Sequence, residues 1–309
     1  MRVQLEETWN QWKECLFSKD RNAIFSQIIL MLWDTAIYKI ILQGRQLRIK
    51  ENPENPQVNL QLHKFIDRNY FQAQSAVIRR LVDKNGKIDG DNGVYSLAAI
   101  IKDLKNHREK LDRKTYLSLR GMPYDYSEIQ KNEREFILDK ISKDDPFSTP
   151  SELDWAKIEN AHKVFDRLSN VNPEMRSPKD LIEKKVFTRL ENRLKECDRL
   201  SVLVNKFIAH SATPESREGI NFLSIKGSEV WRLQKILYEV ANFLGVVLFS
   251  VDTAPLPGAP YSSYLNWDKP LFLEEERQGV YDIYMKYEKE TDDWRVNSVE
   301  NMWKVIEEL

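Results

Sequence analysis

Between Leu5 and Ile49 apolar residues fall on nearly every face of a helix, most densely in IILMLWDTAIYKIILQ, a pattern that predicts a central helix surrounded by others. ENPENP, Glu51 to Pro56, ends it. A second long helix is predicted from about Leu60 to Asp83, with Phe65, Phe71, Val77, Ile78 and Leu81 on one broad side. KNGKIDGDNG then carries Asn-Gly and Asp-Gly turn signals. Ser96 is placed to cap a third helix, SLAAIIKDLKNHREKL. From Arg113 to Pro150 the pattern loosens into RGMPYDY and KDDPFSTP around one short helical stretch near Glu133 to Ile141, and reads as an insertion or extended connection.

Helices resume at Ser151 to Leu168, capped by Ser151 or Thr149, and at Ser177 to about Ala212, where SPKD sets Ser at the cap and Pro in the first turn. A last core helix runs from Ser228 to Val251. The expected fold is all-α: an antiparallel helical bundle of about five or six main helices over residues 1 to 252, interrupted by the insertion at about 113 to 150. After TAPLPGAP, residues 253 to 309 form a linker and an acidic, aromatic C-terminal extension.

Composition agrees with helix. Only 10 of 309 residues are glycine and 31% are charged. The net charge of -1 conceals a gradient, because residues 271 to 309 carry 11 acidic against 5 basic side chains and leave the rest of the chain at +5. An acidic tail of this kind either folds back over a basic groove or forms a solvated helix, such as Gly279 to Glu290, packed by its own aromatics. Two distant cysteines, Cys15 and Cys197, give no disulfide framework and no paired metal ligands, so a reducing cytoplasm is expected. The opening MRVQLEETWNQWKECLF carries charges where a secretory signal would be apolar. Asp34 and Lys39 argue against a membrane span at Ile24 to Gln43, since charge at the bilayer centre costs about 3 kcal/mol each.

Several chemistries find no residues to carry them. Asp83, Asn85, Asp89 and Asp91 alternate as in a calcium loop, but counting from Asp83 or Asp89 puts Ile88 or Val94 where glycine is needed and Val94 or Ile100 where glutamate is needed. Glycine-rich phosphate loops, paired catalytic carboxylates and zinc-ligand clusters are not found, and no cofactor is expected. His63, His107 and His162 lack ligand-type neighbours at metal spacing and receive no role. Asp34, in the most apolar helix, is expected to pair with a cation such as Arg79 or to lie at a bundle edge. Arg79 and Arg80 point about 100° apart, so one at most lines any groove.

The segment VNKFIAHSATP, Val204 to Pro214, carries the most pointed chemistry. On a continuous helix Leu190, Leu194, Cys197, Val204 and Ile208 share the side opposite His210, while Lys206 lies within about 40° of it and one turn away. His210 is then either a helix-end histidine bonding the last carbonyls or a group that handles protons.

NKFIAHS near the end of a long helix, preceded by IRRLVDK and SLAAIIKDL, resembles the abortive-infection branch of the HEPN superfamily, the higher-eukaryote and prokaryote nucleotide-binding helical domains. The similarity spans roughly Phe65 to Pro214. The resemblance implies a dimerising helical bundle of phage-defence or toxin-antitoxin systems, with an antitoxin or defence protein as partner. Active members are metal-independent endoribonucleases with a motif of Arg, a polar residue, spacers and His. Carried onto this chain, the resemblance makes His210 the catalytic base or acid for a ribose 2′-hydroxyl, and Lys206 with Asn205 the phosphate contacts. Val204 stands where the motif has Arg, and valine cannot donate to phosphate. The alternative is a non-catalytic bundle that binds RNA, a nucleotide or a protein partner.

Overall fold

The computed structural model describes residues 2 to 54, 58 to 86, 88, 93 to 142, 154 to 209, 213 to 218 and 226 to 251, with scattered positions between 278 and 289. Ten α-helices lie among the described residues, and the chain is all-α as its pattern requires. They are α1 (Arg2–Phe17), α2 (Ile24–Glu51), α3 (Leu60–Leu81), α4 (Leu97–Asn106), α5 (Arg113–Leu119), α6 (Ser127–Ser142), α7 (Asp154–Ser169), α8 (Lys184–Lys195), α9 (Asp198–Val204) and α10 (Gly227–Phe243). Short π-helical turns, Asn205–Ala209 and Leu244–Phe249, continue α9 and α10. The chain divides into two units, residues 1 to 257 and 258 to 309. The acidic tail and the caps expected at Thr149 or Ser151 fall outside the described residues.

The core gathers around α10, whose Val230, Leu233, Ile236, Leu237 and Val240 are buried against α2, α3, α4 and α8. Burying each such side chain contributes roughly 1.5–3 kcal/mol. A chain of hydrogen bonds crosses the interior. The Gln234 amide donates to Thr35 Oγ1 and to Gln74 Oε1, Thr35 pairs with the Tyr70 hydroxyl, and Trp231 Nε1 donates to the same hydroxyl. Each polar group finds a partner, so the network fixes the register of α2, α3 and α10 without leaving a desolvated orphan. Asp34 ends this chain. Its carboxylate is half-buried and accepts from Gln74 Nε2 at 3.3 Å, and burial pushes its pKa up, while Arg79 bonds Asn205 instead of pairing with it.

Ser96 caps α4 as expected, and two caps that the pattern did not single out accompany it. Asn59, Ser96 and Asp112 side chains accept from the backbone N–H groups of Leu62, Ala99 and Thr115. Ser96 also donates to the carbonyls of Leu81 and Asp83, which ties the start of α4 to the end of α3. By length and composition α2 is apolar enough to cross a membrane, and here it packs on α1, α3 and α10. Its neighbours cover one side only: Leu30 and Leu47 stay 54% and 49% exposed, so it is not enclosed on all faces as expected.

Two expectations about elements need correction. The segment read as an insertion begins with α5, which is core: Arg113, Tyr116 and Leu117 are fully buried, and Tyr116 packs on Trp9 and Phe165. Five of the seven α5 residues are charged, polar or aromatic, which hides a short buried helix from periodicity. The helix expected from Ser177 to Ala212 is broken into α8 and α9. SPKD does not start it. Asp180 instead accepts from the Ser177 N–H and from Arg113 Nε, and the Arg113 backbone N–H donates to the Asp180 carbonyl, clasping this turn to α5. At the break, bonds tighten to the third residue back, with the Cys197 N–H on the Leu194 carbonyl.

Arg113 holds that clasp. Its guanidinium is fully buried, bonded to Asp166 at 2.7 Å and Asp180 at 2.9 Å, and lies over the Phe165 ring. Arg176 bridges Asp166 and Glu159, and both carboxyls sit below their ordinary pKa because the arginine hydrogen bonds outweigh desolvation. His162 beside them is 2% exposed, bonds the Tyr124 carbonyl through Nε2, and has its pKa lowered chiefly by burial. Replacing Arg113 with leucine leaves the largely buried Asp180 carboxylate without its guanidinium and takes from Asp166 one of its two. The expected loss is about 3–5 kcal/mol of stability, read as a lower urea midpoint; an unchanged midpoint would contradict this account of the clasp.

Candidate functional site

The candidate residues sit where α9 passes into the π turn Asn205–Ala209. Such turns insert one extra residue per helical turn and re-aim the side chains that follow. α9 packs along α3, which brings Leu200, Leu203 and Val204 into the core. Leu194 and Cys197 are buried and Leu190 and Ile208 are packed against that core, so the expected apolar stripe is present although the helix is broken. His210 follows the π turn and lies outside the described residues.

Val204 is 1% exposed. Position 204 therefore points inward, and the cations at this end of α9 come from other positions. Arg79 of α3 reaches this end of α9. Its Nε donates to Asn205 Oδ1 at 2.5 Å, so Asn205 orients a guanidinium rather than standing free. The terminal nitrogens of Arg79 have no partner among the described residues. Arg80 is exposed, as adjacent helical positions require.

Two further cations border the π turn. Lys206 Nζ donates to Ser216 Oγ at 2.5 Å, and the Arg217 guanidinium lies 5.5 Å from the centre of the Phe207 ring. Arg217 was not legible as a site residue, because it reaches the turn through a loop rather than along the helix.

The partners of these cations set them apart. Arg45, Arg113, Arg176, Arg193 and Arg232 all bond carboxylates, which cancel their charge. Arg79 meets a neutral amide and Lys206 a neutral hydroxyl. Charge that is oriented but not neutralised is what an incoming phosphate needs. Among the described residues no group of three or more His, Cys, Asp or Glu is placed to hold a metal ion.

Val204→Arg should destabilise the chain. It would drive an unpaired guanidinium into the core at a cost of about 3 kcal/mol or more, read as a fall in the thermal midpoint. A variant as stable as the parent would show that position 204 can reach solvent. Compared with known proteins, the chain matches no family model, no curated protein and no solved structure.

Proposed function

We propose that this chain is an HEPN-like, RNA-directed protein of phage-defence or toxin-antitoxin type, which cleaves RNA without metal. In this reading His210 takes the proton from a ribose 2′-hydroxyl as it attacks the adjacent phosphate. Arg79, oriented by Asn205, supplies the charge that Val204 cannot, and Lys206 adds a second cation. The observation that supports it most is the guanidinium held by an amide at the end of α9, five residues before His210 in the segment Asn205 to His210. A second copy across a two-fold axis would complete the groove, and a cytoplasmic setting with an antitoxin or defence partner follows from the same resemblance.

The buried Val204 favours a second reading, in which the bundle binds RNA, a nucleotide or a protein partner without cleaving it. The two separate in one assay. Purified protein is incubated with structured and unstructured RNA in EDTA, beside His210→Ala and Arg79→Ala. The nuclease reading expects cleavage that survives the chelator, disappears in His210→Ala and falls about 10²–10³-fold in Arg79→Ala. RNA binding without cleavage, weakened by Arg79→Ala, selects the second reading. Cleavage that neither substitution alters contradicts both assignments of residues.

A further inference from the structure

α1 and α4 leave a cleft between them, beneath the turn at Gly86 and Ile88, with a volume of about 350 Å³. That is at the small end of the range for small-molecule sites. α1 contributes Gln4, Thr8 and Gln11, spaced to share one helical face, while the adjoining face, about 100° round, buries Leu5, Trp9, Trp12 and Leu16. α4 contributes Lys102 and Asn106, one turn apart, and His107.

The lining is built of donors. Among the described residues Asp103 is its only carboxylate, and that group is already engaged: Oδ2 accepts from Trp12 Nε1 at 2.8 Å, and Oδ1 lies 3.4 Å from His107 Nδ1. His107 Nδ1 also lies 3.0 Å from the Asp103 carbonyl, and its ring meets the Trp12 ring edge-on at 5.5 Å. The imidazole is thus fixed from its Nδ1 side, and Nε2 has no partner among the described residues. Lys102 likewise has no carboxylate partner among them. The cleft therefore offers an ammonium and an oriented imidazole with little negative charge to cancel them, which suits a phosphate group.

Around those two groups stand three side-chain amides, which both donate and accept, and Thr8, whose hydroxyl donates to the Gln4 carbonyl and keeps its lone pairs for an incoming hydroxyl. Trp12 is fully buried beneath the cleft, Ile88 and Ala99 are the apolar side chains of the lining, and the small His107 imidazole is the one ring among the described lining residues, so a planar base finds no extended aromatic platform. The geometry points to a binding site for a small phosphorylated polyol, a sugar phosphate, with Lys102 and His107 on the phosphate and Gln4, Gln11 and Asn106 on its hydroxyls.

Calorimetric titration of the full chain tests this with glycerol 3-phosphate, ribose 5-phosphate and glucose 6-phosphate, against orthophosphate and ribose. At least one sugar phosphate should saturate and bind tenfold or more tightly than either control. Lys102→Met and His107→Gln should each weaken that binding at least tenfold, and Arg79→Ala should leave it unchanged. Lys102 is exposed, so its replacement leaves the core intact. The proposal is overturned if none of the three saturates, if Lys102→Met binds as the parent does, or if orthophosphate binds as tightly as the sugar phosphates.

Discussion

Arg79 donates to the amide oxygen of Asn205, and because that acceptor is neutral the guanidinium keeps its full charge at the place where α9 ends. Everything proposed for this end of the molecule depends on that contact. It exists because α3 is held in one register. Ile78 and Leu81 are fully buried, and Tyr70 and Gln74 are locked into the hydrogen-bond chain through Thr35 and Gln234. A slip of one residue in α3 would rotate Arg79 by about 100° and take the charge away from Asn205.

Arg113 shows the other use of the same side chain. Fully buried between Asp166 and Asp180, it spends its charge on carboxylates and secures α5, α7 and the Ser177 to Asp180 turn. The two arginines differ in partner, and the partner decides the role: a carboxylate makes a brace, an amide leaves a cation available to an anion. His107 follows a related logic, since Asp103 fixes one ring nitrogen while the other has no partner among the described residues.

How much could be read from the chain follows from the range of each interaction. The all-α class, the course of α3 and α4 and the Ser96 cap were legible because helical periodicity and capping act within a few residues. α5 was missed because seven residues give too short a period, and its burial rests on partners far away in sequence, such as Phe165 and Asp180. The break before α9 was missed for a similar reason: the apolar stripe from Leu190 to Ile208 survives it, so the pattern carries no trace of it. At the site, Asn205 and Lys206 could be nominated from local order. The inward position of Val204 was legible too, from its place in the apolar stripe, whereas the pairing of Arg79 with Asn205, 126 residues apart, has no local signal.

The most direct measurement is the salt dependence of RNA affinity for the parent chain and for Arg79→Ala. If Arg79 meets a phosphate, the slope of log affinity against log salt concentration becomes shallower by about 0.7 for a single strand when the guanidinium is removed. An identical slope for the two proteins would mean that this cation meets no phosphate, and would contradict the account.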